Sequence, residues 1–130
     1  MTLSGTVPEG GHYPYQAGIE AYGNGGFRFA DMSHRGSILC LPSGVHGWEP
    51  ANPAQLTFDD FERVLAEAGD IDILLVGTGT DLKPLPAALR VQLRERGISA
   101  DPMSTGAAVR TYNVLLAEDR LVAAALVAVE

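Results

Sequence analysis

Two short runs carry the residues best suited to chemistry: Gly77-Thr78-Gly79-Thr80 and Met103-Ser104-Thr105-Gly106. Each joins hydroxyl groups to backbone that small side chains leave unshielded. The second run opens a helical pattern, and the first turn of a helix presents unpaired N–H groups and a partial positive charge. Helices usually place Asp or Glu there, whereas this one places Ser104, Thr105, Gly106 and Ala107, with Arg110 one to two turns along. Gly77, Thr78, Gly79 and Thr80 with Ser104, Thr105, Gly106 and Arg110 therefore make a candidate site for a small anion or carboxylate. It would lie outside the carboxyl ends of α/β strands, where such sheets tend to bind ligands. The competing account is purely structural: Ser104 or Thr105 caps the helix and Gly106 permits close packing. Asp81 and Asp101, near the same edge, oppose anion affinity.

Other chemistries find less support. A dinucleotide fingerprint fails because Leu82 stands where a third glycine belongs, although Asp101 sits where a ribose-binding acid would be. His12, His34 and His46 lack the spacing and accompanying thiolates of a zinc site, so no metal is expected. Cys40 lies within an apolar strand pattern and reads as a small hydrophobe. There is no Gly-x-Ser-x-Gly elbow and no Walker phosphate loop, so no catalytic residue is assigned and no cofactor is expected. Two surfaces suit a protein partner. One is the Pro/Gly-rich stretch at residues 43–53, whose His46 and Trp48 could anchor an interface, or whose tryptophan could plug the core edge. The other is the basic end of a helix at Arg90 and Arg94, either a solvated face or a docking patch for an acidic partner. The reading that follows is a non-enzymatic binding or assembly module. The alternative is a ligand-binding protein or enzyme using the 77–80 and 105–110 edge.

These residues need a scaffold, and composition bounds it. The chain has 130 residues, 46% hydrophobic and 19% charged, enough for one domain with a core that needs no metal or disulfide. Sixteen acidic against nine basic residues give a net charge of −7, which disfavours nucleic acid and anionic membrane surfaces as partners. Cys40 is the single cysteine, so no intramolecular disulfide can form and a reducing, cytoplasmic setting is expected. The first residues lack the basic and apolar regions of a secretory signal. The longest apolar stretch, residues 121–129, falls well short of the ~20 that membrane insertion needs.

The elements follow from periodicity. Residues 71–76, Ile-Asp-Ile-Leu-Leu-Val, read as a strand buried on both faces. Residues 1–16 read as a mobile arm and 17–130 as one α/β domain. Asn24-Gly25 between two strand-like segments is a hairpin signal, placing Phe27 and Phe29 on one face and Arg28 on the other. A second buried strand covers residues 37–41, and the stretch 43–53 reads as loop. A helix starts at Thr57, with Asp60 completing a capping pattern and Gly69 as its left-handed end. Leu82, Leu85, Leu89 and Leu93 mark the inner face of a second helix ending at Gly97. A short strand at 98–101, a helix over 104–118 and a last strand at 121–129 complete the order. The predicted fold is a three-layer α/β sandwich: a central mixed, mostly parallel sheet flanked by helices, with an N-terminal β-hairpin layer.

Several segments together resemble the adipogenesis-associated domain family of small α/β proteins, a group that includes the mitochondrial complex I assembly factor 3. They are residues 22–29 (Tyr-Gly-Asn-Gly-Gly-Phe-Arg-Phe), Ser33-His34-Arg35-Gly36, Leu41-Pro42-Ser43-Gly44, Trp48 and Gly77-Thr78-Gly79. Met103-Ser104-Thr105-Gly106, Thr111-Tyr112-Asn113 and residues 118–126 continue the likeness. The resemblance implies a mixed sheet flanked by helices with an added N-terminal β layer, and a protein partner. It implies no reaction and no catalytic residues.

Overall fold

The computed structural model describes residues 12–130, so most of the expected N-terminal arm lies outside the described residues. Its last part, β1 (His12–Tyr13), is a strand, and Tyr13 sets its ring edge-on to Phe29 at 6.0 Å. β2 (Ala21–Gly23) and β3 (Gly26–Phe29) form the expected hairpin, with Asn24 and Gly25 at φ 52° and 79°. Positive φ at both central residues is the hairpin turn whose twist matches the strands, and Asn-Gly accepts it most readily. Phe27 and Phe29 are buried and Arg28 faces solvent, as the alternation requires. A further strand, β4 (Met32–Arg35), pairs antiparallel with β3 and turns the hairpin into a three-stranded sheet. Periodicity did not announce β4, because its one buried residue is the polar His34.

The main sheet also contains β5 (Ser37–Leu41), β6 (Gly44–Trp48), β7 (Ile73–Gly77), β8 (Ser99–Met103) and β9 (Val122–Leu126). Its order is β1-β6-β5-β9-β7-β8. The sheet is mixed, as expected, but its parallel part is confined to β9, β7 and β8; the three pairings from β1 to β9 are antiparallel. Residues 44–48 are strand rather than loop. Pro42-Ser43 makes a two-residue turn after which Gly44 pairs with Leu41, and the two glycines of β6 hid that strand from a pattern reading.

The helices are α1 (Glu62–Ala66), α2 (Ala87–Glu95) and α3 (Thr105–Ala117). The first is shorter than expected. A 3-10 turn over Phe58–Phe61 leads into it, with the Thr57 amide donating to Asp60 Oδ2 at 2.8 Å, and it closes in a second 3-10 turn at Ala68–Asp70 instead of a left-handed glycine. Pro86 caps α2, which therefore starts after Leu82; that leucine is 60% exposed, while Leu85, Leu89 and Leu93 are buried. Gly97, at φ 84°, ends this segment as predicted.

Alternation along the strands divides the core in two. Leu39, Leu41, Leu74, Val76, Ala123 and Ala125 face α1 and α2, while Ile38, Cys40, Leu75, Ala124 and Leu126 face α3 and the small sheet. The alanines of β9 let helices on both sides approach closely, so the layers are helix, sheet, then helix with small sheet.

Candidate functional site

The structure brings the residues of the first candidate edge together, and in doing so occupies most of their hydrogen-bonding capacity. Gly77 ends β7 directly beneath α3: a Cβ there would lie 2.9 Å from Thr105 Cα. The buried Thr105 hydroxyl donates to Val127 O at 2.7 Å and accepts from Gly79 N at 2.9 Å. Thr105 N donates to Gly79 O at 2.8 Å, so turn and helix start are mutually bonded. Thr78, also buried, shares its hydroxyl proton between Asp81 O and Met103 O and accepts from Lys83 N at 2.9 Å. Thr80 is exposed beside this network.

Ser104 caps α3, its Oγ accepting from Ala107 N at 3.2 Å, and Ala108 N donates to Ser104 O. That leaves the first-turn position Gly106, where a Cβ would meet the Tyr22 hydroxyl and lie 3.6 Å from Arg110 Nη1. Tyr22, 42% exposed on the small sheet, thus stands over the helix start beside an exposed Arg110. Sequence reasoning missed this neighbour, since only the three-layer packing sets β2 against α3.

Trp48 occupies a different place. It ends β6 half-buried, its ring edge-on to Phe61 at 5.5 Å and its Nε1 donating to Asp60 O at 2.7 Å. The indole is therefore fixed from two directions. It forms a ridge between two grooves that share Gly47, Trp48, Glu49 and Pro50. One, of about 630 Å³, runs toward Arg35, Ser37 and Ala128; the other, of about 560 Å³, runs toward Asp59, Asp60, Glu62 and Arg63. Both have the volume of a binding cleft. Arg90 and Arg94 are exposed on α2, which supplies none of the wall residues of either groove.

His46, expected on the same surface, is buried instead. Its Nε2 lies 2.8 Å from Ser43 Oγ, whose hydroxyl donates to Glu67 Oε2, while Ser43 N donates to Glu67 Oε1 at 2.9 Å. With the hydroxyl proton directed at the carboxylate, the imidazole is left to donate to the serine rather than to accept from it. This orders the turn after β5 against the end of α1; a serine nucleophile would need the imidazole as proton acceptor. Glu67 lies 24 residues from Ser43, too distant for spacing to reveal the link.

Cys40 is enclosed between β5 and α3, and burial pushes its thiol up to about 12, the neighbouring Tyr112 hydroxyl acting weakly the other way. The pKa of Tyr112 is raised too, by burial first and then by the charge an ionised Cys40 would carry. No hydrogen-bond partner of good geometry reaches the Tyr112 hydroxyl. Such a thiol is inert rather than nucleophilic. Among the described residues no cluster of three His, Cys, Asp or Glu could hold a metal ion, and no helix is long and apolar enough to cross a membrane.

Residues 19–127 match the family model described as a protein of unknown function, DUF498/DUF598. The chain belongs to the DUF498/DUF598 family. An uncharacterized protein of Rhodobacter capsulatus is 44% identical over 108 residues, covering 83% of this chain and 82% of its own. Human NADH dehydrogenase [ubiquinone] 1 alpha subcomplex assembly factor 3 is 30% identical over 109 residues; the match spans 84% of this chain but 59% of the human protein. Among solved structures, one described as an outer membrane protein from Bartonella henselae is 63% identical with a TM-score of 0.88, covering 92% of this chain and all of that one. The Rpa2829 protein of Rhodopseudomonas palustris follows at 47% identity and TM-score 0.81, over 98% of this chain and 93% of that one. The assembly factor is the relative that the sequence resemblance named. Among the segments carrying that resemblance in this DUF498/DUF598 chain, Gly77-Thr78-Gly79 and Met103-Ser104-Thr105-Gly106 form the latch between the turn and α3. Thr111-Tyr112-Asn113 supplies Asn113, which holds Ile19 N and O at 2.8 and 2.9 Å.

Proposed function

We propose that this chain is a protein-binding, assembly-type module whose docking surface is the ridge formed by Trp48. The observation that carries the reading is the indole itself: half-buried, held by its N–H on Asp60, and flanked by grooves on both sides. Holding an aromatic anchor rigid lowers the entropy lost on binding, and tryptophan is among the residues that most often dominate interface energetics. The assembly-factor relatives support a protein as partner, although this chain spans only part of their length. A single cysteine, which allows no disulfide within the chain, suits action in the cytoplasm. Arg90 and Arg94 form a second, weaker candidate contact.

A second reading is favoured by one observation, the exposed Arg110 beside Gly106 and the Tyr22 hydroxyl, which could hold a small anion or carboxylate. It ranks lower because Thr105, Ala107 and Ala108 already spend their amides within the fold. Co-purification of the tagged protein from its host separates the two. Trp48→Ala and the surface change Ala51→Arg, which fills a groove wall without touching the core, should both lose the partner, and Arg110→Ala should keep it. Retention by both ridge variants, with thermal stabilisation by phosphate or carboxylates that disappears in Arg110→Ala, would overturn the proposal in favour of the anion site.

A further inference from the structure

The two grooves beside Trp48 differ in charge, and the difference points to the partner's chemistry. The groove on the α1 side has Leu39 and Trp48 in its floor and walls, while Glu49, Asp59, Asp60 and Glu62 line it against the single guanidinium of Arg63. Asp60 is engaged by the Thr57 amide; Glu49, Asp59 and Glu62 take part in no ion pair among the described residues. Their carboxylates are exposed around apolar surface, in a chain of net charge −7. The groove on the other side carries Arg35, and Glu49 is the one carboxylate among its lining residues.

We infer that the α1-side groove docks an extended, arginine- or lysine-bearing segment of the partner protein. The inference rests on the reading of Trp48 as the docking ridge and names what lies against one flank of it. A cleft lined by one sign of charge concentrates field and favours the opposite sign in whatever enters. The indole adds a surface on which a guanidinium can stack. The same charge argues against a second copy of this chain as occupant, since two −7 molecules repel one another and a copy would bring its own carboxylates.

Trp48 is the sole tryptophan and lines both grooves, so its emission reports occupancy of either and the variants below assign the side. The probe is a short peptide alternating Arg with Pro and Leu, compared with the same peptide carrying Glu in place of Arg. The arginine peptide should produce a saturable change in emission that weakens with salt. Asp59→Lys or Glu62→Lys, both at exposed positions, should weaken it about tenfold. Glu118→Lys, an equal charge change at the end of α3, should leave it unaltered. Equal response to the glutamate peptide, equal loss in Glu118→Lys and Glu62→Lys, or no saturable response at all would each overturn the cationic assignment. The docking role of Trp48 itself stands or falls separately, on the co-purification result.

Discussion

At the scale of single residues, Thr105 and Tyr112 make opposite cases. The Thr105 hydroxyl joins Gly79 N to Val127 O in the interior, so removing it strands a donor and an acceptor together. Thr105→Val, nearly the same shape, should lower stability by about 2–4 kcal/mol in urea unfolding, whereas Thr105→Ser should lose about 1 kcal/mol or less. The Tyr112 hydroxyl has no well-placed partner to strand. Tyr112→Phe should therefore change the urea midpoint little, within about 0.5 kcal/mol, or raise it. The pH dependence follows from the same pocket. Cys40 and Tyr112 have folded pKa values above their unfolded ones, so their protonated forms stabilise the fold fully below the unfolded values. That contribution is lost as pH climbs from 9.0 toward about 12 for Cys40, and over a range beginning near 10.0 for Tyr112. Urea midpoints should fall steeply above pH 9, and less steeply in Cys40→Ala; an unchanged alkaline slope in that variant would contradict the assignment. Cys40 should also resist alkylation in the native protein and react on unfolding.

Among the elements, the hairpins show how far local pattern reached. Asn24-Gly25 announced its turn because both residues tolerate positive φ, and the turn is there. The next turn repeats that geometry with Ala30 and Asp31 at φ 50° and 61°; Asp tolerates that region but Ala does not, so the pair lacks the signal that Asn-Gly carries. Asp31→Gly should consequently raise stability by about 0.5–1 kcal/mol in thermal or urea unfolding. The buried strands β5, β7 and β9 and helix α3 were legible for the same reason: continuous apolar runs or clear 3.6-residue stripes. β4 and β6 were not, because their buried positions hold His34, His46 and glycines, which no periodicity scale counts as core. The candidate edge was legible as a juxtaposition but not as a closed one. That Thr105 would turn inward and bond the glycine turn depends on β9 lying beside β7, a long-range pairing invisible in local sequence. Gly77→Ala tests this packing, since the added methyl meets Thr105 backbone at 2.9 Å. It should destabilise by about 1–3 kcal/mol.

For the whole molecule, the two sides of the sheet have different surroundings. On one, α3 and the small sheet close over the strand ends, with Tyr22 laid across the helix start. On the other, α1 and α2 cover the core but leave Trp48 as a ridge at the border between grooves. Sequence could place a tryptophan on a Pro/Gly-rich stretch; only the fold sets it between an acidic groove and one carrying Arg35. The most direct test of Trp48 as the docking ridge is photo-crosslinking in the host, with a photoreactive residue placed at exposed Glu49 or, in a separate variant, at exposed Arg110. A discrete protein adduct from position 49 and none from position 110 is the predicted result. An adduct from position 110 alone would contradict it and move the working surface to the start of α3.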